Sequence, residues 1–150
     1  MTPDLRLATL DDLHAVEAVV HAAYSHYVIR IGRKPGPMLD DYAELIGNRS
    51  VHVIEHGDTV KGILVLIPDE HSMLLDNIAV APDAQGLGLG RIMLDFAERS
   101  AVAAGYDAVT LYTNEAMSEN IALYSRLGYA ETHRREEKGL RRIYMRKSLV

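Results

Sequence analysis

The stretch Leu75-Asp76-Asn77-Ile78-Ala79-Val80-Ala81-Pro82-Asp83-Ala84-Gln85-Gly86-Leu87-Gly88-Leu89-Gly90-Arg91 constrains this chain more than any other part of it. An apolar run reads as a buried strand, Pro82 ends it, and three alternate glycines lead directly into a helical pattern. Glycine has no side chain to keep a ligand from backbone N–H groups, and at a helix N-terminus those groups carry the positive end of the dipole. The junction suits a pyrophosphate; a glycine turn that only caps a helix is the plainer alternative. Two familiar phosphate loops do not fit. A dinucleotide fingerprint needs Gly-x-Gly-x-x-Gly, but Arg91 stands where the third glycine belongs, and no lysine follows Gly90 as a P-loop requires.

The flanking patterns place this junction in an α/β setting. Residues 5–8 read as a short strand, and Thr9 with Asp12 three positions on opens a first helix over 10–26. Gly32, Pro35, Gly36 and Pro37 make 30–37 a loop, after which Pro37 starts a second helix over 38–46 that stops at Gly47. Strands follow at 51–55, 59–67 and 73–81, the first two joined by a His56-Gly57-Asp58 turn, as an antiparallel meander. The helix after the glycines runs to Ala104 with Gly105 as its stop, a strand covers 108–113, and a helix over 117–127 ends on Gly128. Strands at 129–133 and 141–147 flank the charged turn Glu136-Glu137-Lys138-Gly139. The order βααβββαβαββ gives a mixed α/β (α+β) fold, a mostly antiparallel sheet flanked by helices.

At 150 residues the expectation is one domain, 1–150, burying roughly 70% of the surface of the unfolded chain. A net charge of −5, with acids and bases interspersed except for a basic stretch near the C-terminus, leaves no broad cationic field for nucleic acid. The sequence shows neither a signal peptide nor an apolar run of about 18 residues, so no membrane partner and a cytoplasmic location are expected. Without cysteine there is no thiolate zinc site and no cysteinyl acyl-enzyme. The seven histidines form no His-Glu-x-x-His or similar ligand spacing, so no metal is expected.

A second motif lies downstream in Asn114-Glu115-Ala116-Met117-Ser118-Glu119-Asn120-Ile121-Ala122-Leu123-Tyr124-Ser125-Arg126-Leu127-Gly128-Tyr129. Packing and capping of one helix would account for Ile121, Tyr124 and Leu127–Gly128 on their own. Two patterns coincide, however. Gln85, Gly88 and Gly90 follow Gln/Arg-x-x-Gly-x-Gly/Ala, and Leu123-Tyr124-Ser125-Arg126-Leu127-Gly128-Tyr129 repeats the pattern Ala-x-x-Leu-Tyr-x-x-Leu-Gly-Phe/Tyr from its leucine onward, with a strand between them. Through these motifs the stretch from Leu75 to Tyr129 resembles the cofactor-binding half of the GNAT N-acetyltransferase superfamily. The first 50 residues carry no such signature.

The resemblance implies acetyl-CoA as the cofactor and direct transfer of its acetyl group to a primary amine of a small molecule or peptide. It implies that the pantetheine arm pairs with the backbone of Ile78, Ala79 and Val80, where that strand splays from the next. The pyrophosphate then rests on the amides of Gly86, Leu87, Gly88, Leu89, Gly90 and Arg91, with the Gln85 and Arg91 side chains as further contacts. Asn120 and Asn114 correspond to cofactor-contacting positions. Many members carry asparagine seven residues before the tyrosine; Met117 stands there in this chain, and Asn120 is its candidate substitute.

An acceptor amine has a pKa of about 10.4 as a lysine or about 8 as an α-amine, so it must lose a proton before attack. The oxyanion needs a donor, for which a backbone amide near Ile78 is suited, and the departing thiolate needs an acid. The resemblance gives the acid role to Tyr124. Asp76, His71 and Glu70 are candidate bases, alongside ordered water; Asp76 shares strand parity with Ile78 and Val80. For the acceptor, Tyr24, Tyr27, Arg30, Arg33, Met38 and Tyr42 gather around the proline-glycine loop. Aromatic walls with arginines suit a flat or anionic acceptor or a peptide terminus, while core packing is the other reading of these tyrosines. A non-catalytic acyl-CoA-binding regulatory module is the rival function, since fold does not fix function. The 141–147 edge leaves monomer and homodimer both open.

Overall fold

Burial along the strand that precedes the glycines alternates strictly, with Met73, Leu75, Asn77 and Ala79 inside and Leu74, Asp76, Ile78 and Val80 half-buried. That period of two is the frame for the rest of the molecule. The computed structural model describes residues 2–150. In chain order its elements are β1 (Asp4–Leu7), α1 (Leu13–Tyr24), α2 (Tyr27–Ile31), α3 (Tyr42–Gly47), β2 (Val51–His56), β3 (Thr59–Pro68) and β4 (Met73–Val80). There follow α4 (Leu89–Ala103), β5 (Ala108–Asn114), α5 (Ser118–Arg126), β6 (Ala130–Glu137) and β7 (Leu140–Ser148). Short 3-10 turns occupy Leu10–Asp12, Gly36–Leu39 and Pro82–Ala84. The strands make a mixed, mostly antiparallel seven-stranded sheet in the order β1-β2-β3-β4-β5-β7-β6.

The chain divides into two compact units. The first takes the residues up to Leu66 together with Asn77–Phe96, and the second takes Ile67–Asp76 with Ala97–Val150. In the first, β1 pairs antiparallel with β2 from Asp4↔Glu55 to Leu7↔His52, and β2 with β3 from Val51↔Val65 to His56↔Thr59. The β2–β3 turn has positive φ at both central residues, Gly57 (65°) and Asp58 (63°), the twist that a two-residue hairpin favours. Val51, Val53, Ile54, Ile63, Leu64 and Val65 are fully buried. Helix α1 adds Val16, Val19, Val20 and Tyr24, one apolar stripe at helical spacing. Gly62 is required where β2, β4 and α4 converge: a Cβ there would lie 2.7 Å from Ile54 Cγ2, 2.9 Å from Met93 Cε and 3.1 Å from the Ala79 carbonyl oxygen. At the start of the chain the Arg6 guanidinium donates to both Asp12 oxygens (2.7 and 2.9 Å) and to Glu55 (2.7 Å). The Thr9 N–H also donates to Asp12, at 2.8 Å. These bonds, the Arg6 bond foremost, hold the Asp12 carboxyl down at about 2.

In the second unit β4 pairs in parallel with β5 from Met73↔Val109 to Leu75↔Leu111. Antiparallel ladders join β5 to β7 (Ala108↔Ser148 to Asn114↔Arg142) and β6 to β7 (Ala130↔Arg146 to Glu137↔Leu140). One face of these strands buries Val109, Leu111, Ile143 and Met145; the other presents Tyr112, Arg142 and Tyr144, which are half-buried.

Several boundaries differ from the sequence expectation, and the edge expected at 141–147 is interior, since β7 lies between β5 and β6. The first helix ends at Tyr24, and a separate α2 spans Tyr27–Ile31, so that three helices precede β2 instead of two. Helix α2 includes Arg30 and Ile31, expected in the loop, because the stop signal is Gly32 in the left-handed conformation, whose N–H closes on the Val28 carbonyl at 2.8 Å. Pro37 opens only a 3-10 turn; the helix proper begins later, where Asp41 caps it by accepting from the Glu44 N–H at 3.1 Å. The last hairpin is longer than expected, with a two-residue turn at Lys138 (φ 52°) and Gly139 (φ 78°).

Candidate active site

The glycine junction is built by the first unit. Lys61 of β3 fixes its entrance twice, through its carbonyl to the Ala81 N–H (2.7 Å) and its ammonium to Asp83 (2.8 Å). Gly86 (φ 86°) and Gly88 (φ 81°) occupy the left-handed region, which explains glycine at both. Gly90 has no such demand: its φ is ordinary, and an added Cβ would meet nothing within 4 Å. The first intrahelical bond of α4 runs from the Ile92 N–H to the Gly88 carbonyl at 3.1 Å. Consequently the N–H groups of Leu89, Gly90 and Arg91 have no acceptor from their own helix. The Leu89 side chain is buried, so its contribution to a ligand is confined to its backbone, whereas Gln85, Leu87 and Arg91 are exposed. Gln85 Nε2 donates to the Val80 carbonyl at 3.5 Å. Ala79 is in the core, and Ile78 and Val80 are half-buried.

Asn77 is a buried polar residue of the site strand that the sequence did not single out. It is 3% exposed, and its amide joins two helices to β4: Tyr24 of α1 donates to its Oδ1 at 2.5 Å, and its Nδ2 donates to Tyr42 of α3 at 3.0 Å. The Tyr24 hydroxyl also lies 3.0 Å from the Ile78 carbonyl, and Tyr42 donates to the Pro37 carbonyl. A buried amide is expected to be satisfied in this way. The signal available in the sequence was an asparagine at a core parity position between Leu75 and Ala79. Tyr24, Tyr27 and Tyr42 are thus interior side chains whose phenols brace β4 or pack, with the Tyr24 and Tyr27 rings 6.4 Å apart. Arg30 is exposed and lies over the Tyr27 ring at 5.1 Å; Arg33 is exposed and Met38 half-buried.

Asp76, the preceding residue, belongs to a different network in the second unit. Its Oδ1 accepts from Tyr112 of β5 at 3.1 Å. The Arg142 guanidinium covers the Tyr112 ring at 4.6 Å and donates to Glu137 at 3.0 Å, and Glu137 in turn accepts from Tyr144. Burial pushes the Asp76 carboxyl above the usual carboxylate range, while the Tyr112 hydrogen bond and the Arg142 charge pull against that rise. A half-buried carboxylate with a raised pKa is suited to accept a proton near neutral pH. The other candidate bases sit elsewhere: Glu70 and His71 are exposed by 85% and 87% in the bend before β4.

Also in the second unit, Tyr124 lies on α5, 6% exposed, its ring 5.9 Å from that of Tyr129 in an edge arrangement. Leu127–Gly128 ends the helix, with the Tyr129 N–H returning to the Tyr124 carbonyl at 3.0 Å and Gly128 at φ 99°. Tyr129 reaches Glu98 (3.4 Å), and burial first, then that carboxylate, raises its phenol. Met117, in the place of the expected asparagine, is buried, and its sulfur accepts from Thr113 (3.7 Å) and from the Asn120 amide (3.8 Å). Asn114 accepts from the Ala116 N–H at 2.9 Å, a turn that leads into α5. Among the described residues no cluster of His, Cys, Asp and Glu is arranged to hold a metal, and no helix is long and apolar enough to cross a membrane.

Residues 47–131 match the model of the acetyltransferase (GNAT) domain. Among curated proteins, none matches the chain. Solved structures share its fold end to end. The ribosomal-protein-S18-alanine N-acetyltransferase of Escherichia coli aligns over 99% of this chain and 94% of its own, at 21% identity and a TM-score of 0.80. The PaiA N-acetyltransferase of Thermoplasma acidophilum, in complex with coenzyme A, aligns over 99% of each chain at 16% identity and 0.80. A ribosomal-protein-alanine N-acetyltransferase of Brucella melitensis aligns over 97% of this chain and 99% of its own, at 24% identity and 0.75.

Proposed function

Because the chain belongs to the GNAT acetyltransferase family, with acetyl-CoA as cosubstrate, we propose that it is an N-acetyltransferase that acetylates a primary amine of a peptide or small molecule. The observation that carries this reading is Gly90. The fold does not demand glycine there, yet the position is open and lies among first-turn amides that a pyrophosphate would use. The short parallel register of β4 with β5, ending at Leu75↔Leu111, leaves the second half of β4 outside that ladder and supports the pairing of pantetheine with Ile78–Val80.

In this reading Asp76 removes a proton from the arriving ammonium, a backbone amide near Ile78 donates to the oxyanion, and Tyr124 protonates the leaving sulfur. Asn114, Asn120, Gln85 and Arg91 serve as lesser cofactor contacts. The buried Tyr24, Tyr27 and Tyr42 form the wall behind the acceptor, with Arg30 and Met38 nearer its rim. The protein works in the cytoplasm, without nucleic acid or membrane, as a monomer or homodimer.

Calorimetric titration with acetyl-CoA, followed by thiol release against amines, polyamines, amino acids, aminoglycosides and peptides, tests the proposal. The two ribosomal-protein-alanine N-acetyltransferases of like fold put an alanine-initiated peptide first in that panel. Tight binding with thiol release is expected, and Tyr124→Phe should lower kcat about ten-fold or more with little change in acetyl-CoA affinity. Binding without release across the panel favours the regulatory module; no binding overturns the reading of the glycine junction.

A further inference from the structure

The two oxygens of Asp76 are not equivalent. Oδ1 is engaged by the Tyr112 hydroxyl at 3.1 Å, which leaves Oδ2 as the oxygen placed to receive a proton. Tyr112 is itself confined. The Arg142 guanidinium lies over its ring at 4.6 Å, and its ring meets that of Tyr144 at 5.6 Å. Arg142 is tied to Glu137 at 3.0 Å, and Glu137 holds the Tyr144 hydroxyl, so a loop of contacts closes across β5, β7 and β6. Tyr144 is stacked further on His133 of β6, with ring centroids 4.4 Å apart and planes 10° from parallel. These side chains lie opposite one another in the ladder, Tyr112 across from Tyr144, Tyr144 from His133 and Arg142 from Arg135. Cross-strand neighbours of this kind are the pairs a sheet fixes best.

We propose that Tyr112 is a positioning residue that locks the Asp76 carboxyl with Oδ2 as its proton-accepting oxygen, and that Arg142, anchored by Glu137, holds Tyr112 in place. The proposal rests on the reading of Asp76 as the base. When an acceptor ammonium gives up its proton, Oδ2 gains it and the carboxylate becomes neutral, while the Tyr112 O–H remains the donor to Oδ1. Tyr112 therefore neither gains nor loses a proton. The titratable and charged groups that bear on Asp76 are Tyr112 from β5 and Arg142 from β7; Glu137 and Tyr144 act on it through Arg142.

The test is the titration of the Asp76 side-chain carboxyl by carbon-detected NMR in the full chain labelled at aspartate, the signal assigned with Asp76→Asn. Tyr112→Phe removes a hydrogen bond that favours the charged form, so the midpoint should rise by about half a unit to one unit. Arg142→Met should raise it in the same direction, and Arg142→Lys, which keeps the charge, should return most of that change. Thermal melts of each variant check that the fold is retained. An unmoved midpoint in Tyr112→Phe overturns the positioning role, and an unmoved midpoint in Arg142→Met overturns its support by Arg142. The pH dependence of kcat/KM, measured with the amine that the panel identifies, separates the two readings. A moved midpoint with an ascending limb indifferent to Asp76→Asn supports the locking contact and rejects Asp76 as the base.

Discussion

Two tyrosine networks stand on consecutive residues of β4, one in each unit, and they differ chiefly in their access to water. Around Asn77 an amide and two phenols are buried to within a few per cent, and each polar atom meets a fixed partner. Around Asp76 a carboxylate, two phenols, a guanidinium and a second carboxylate are only half-buried. Burial makes the first costly to disturb, because an amide or phenol left unsatisfied inside loses its full desolvation energy. Partial exposure lets the second exchange a proton at small cost to the fold. In the proposed reading, neutral groups brace the strand while charged ones, one residue away, serve the chemistry.

The largest effect should come from Asn77→Ala, which removes the bridge between Tyr24 and Tyr42 and should lower the unfolding free energy by about 2–4 kcal/mol. Tyr112→Phe, in the half-exposed network, should cost under about 1 kcal/mol. Equal losses in urea denaturation would break the comparison.

Next comes Asp76→Asn, expected to lower kcat by about 100-fold or more and to abolish the ascending limb of the pH profile. Its stability should move the other way. Burial raises the folded pKa of Asp76, so its charge destabilises the fold above that value, and the asparagine should gain at neutral pH and lose the gain below 3.8. Melts across pH read this directly.

Asp12 sharpens the contrast by its opposite sign. With its pKa lowered from 3.8 to about 2, its contribution is complete above 3.8 and is lost as pH falls through about 2. With allowance for the partial exposure of Arg6, that loss should amount to about 1–2 kcal/mol and be missing in Asp12→Asn.

The smallest change in stability should come from Gly90→Leu, a gain below about 1 kcal/mol from helix propensity, with acetyl-CoA affinity falling roughly ten-fold because the motif accepts nothing larger than alanine there. A variant that binds as the parent does would return Gly90 to the role of an ordinary helical residue.

What the sequence revealed of this design follows the range over which residues interact. The strand–glycine–helix junction and the turns at Gly57–Asp58 and Gly128 were legible because their signals lie within a few positions of their effects. The end of α1 was not: Ser25 and His26 keep helical dihedrals and include neither proline nor glycine, so no local residue announces the division from α2. Asn77 was hidden for a different reason, since Tyr42 and Tyr24 are 35 and 53 positions away. The pairing of Asp76 with Tyr112 likewise depends on the register of β4 against β5, which spacing alone does not fix. Of the candidate site, its backbone elements were the readable part, and the tertiary partners of its side chains were not.

Gly62 gives the packing a further meaning. Because a methyl there would press on the Ala79 carbonyl as well as on Ile54 and Met93, the position acts as a spacer gauge for the strand that the reading assigns to pantetheine. In a survey of random substitutions it would be scored among residues needed for folding. Variants rescued by a smaller side chain at Met93 or Ile54 would then expose its second duty, as proteins that fold normally yet hold their cosubstrate out of alignment.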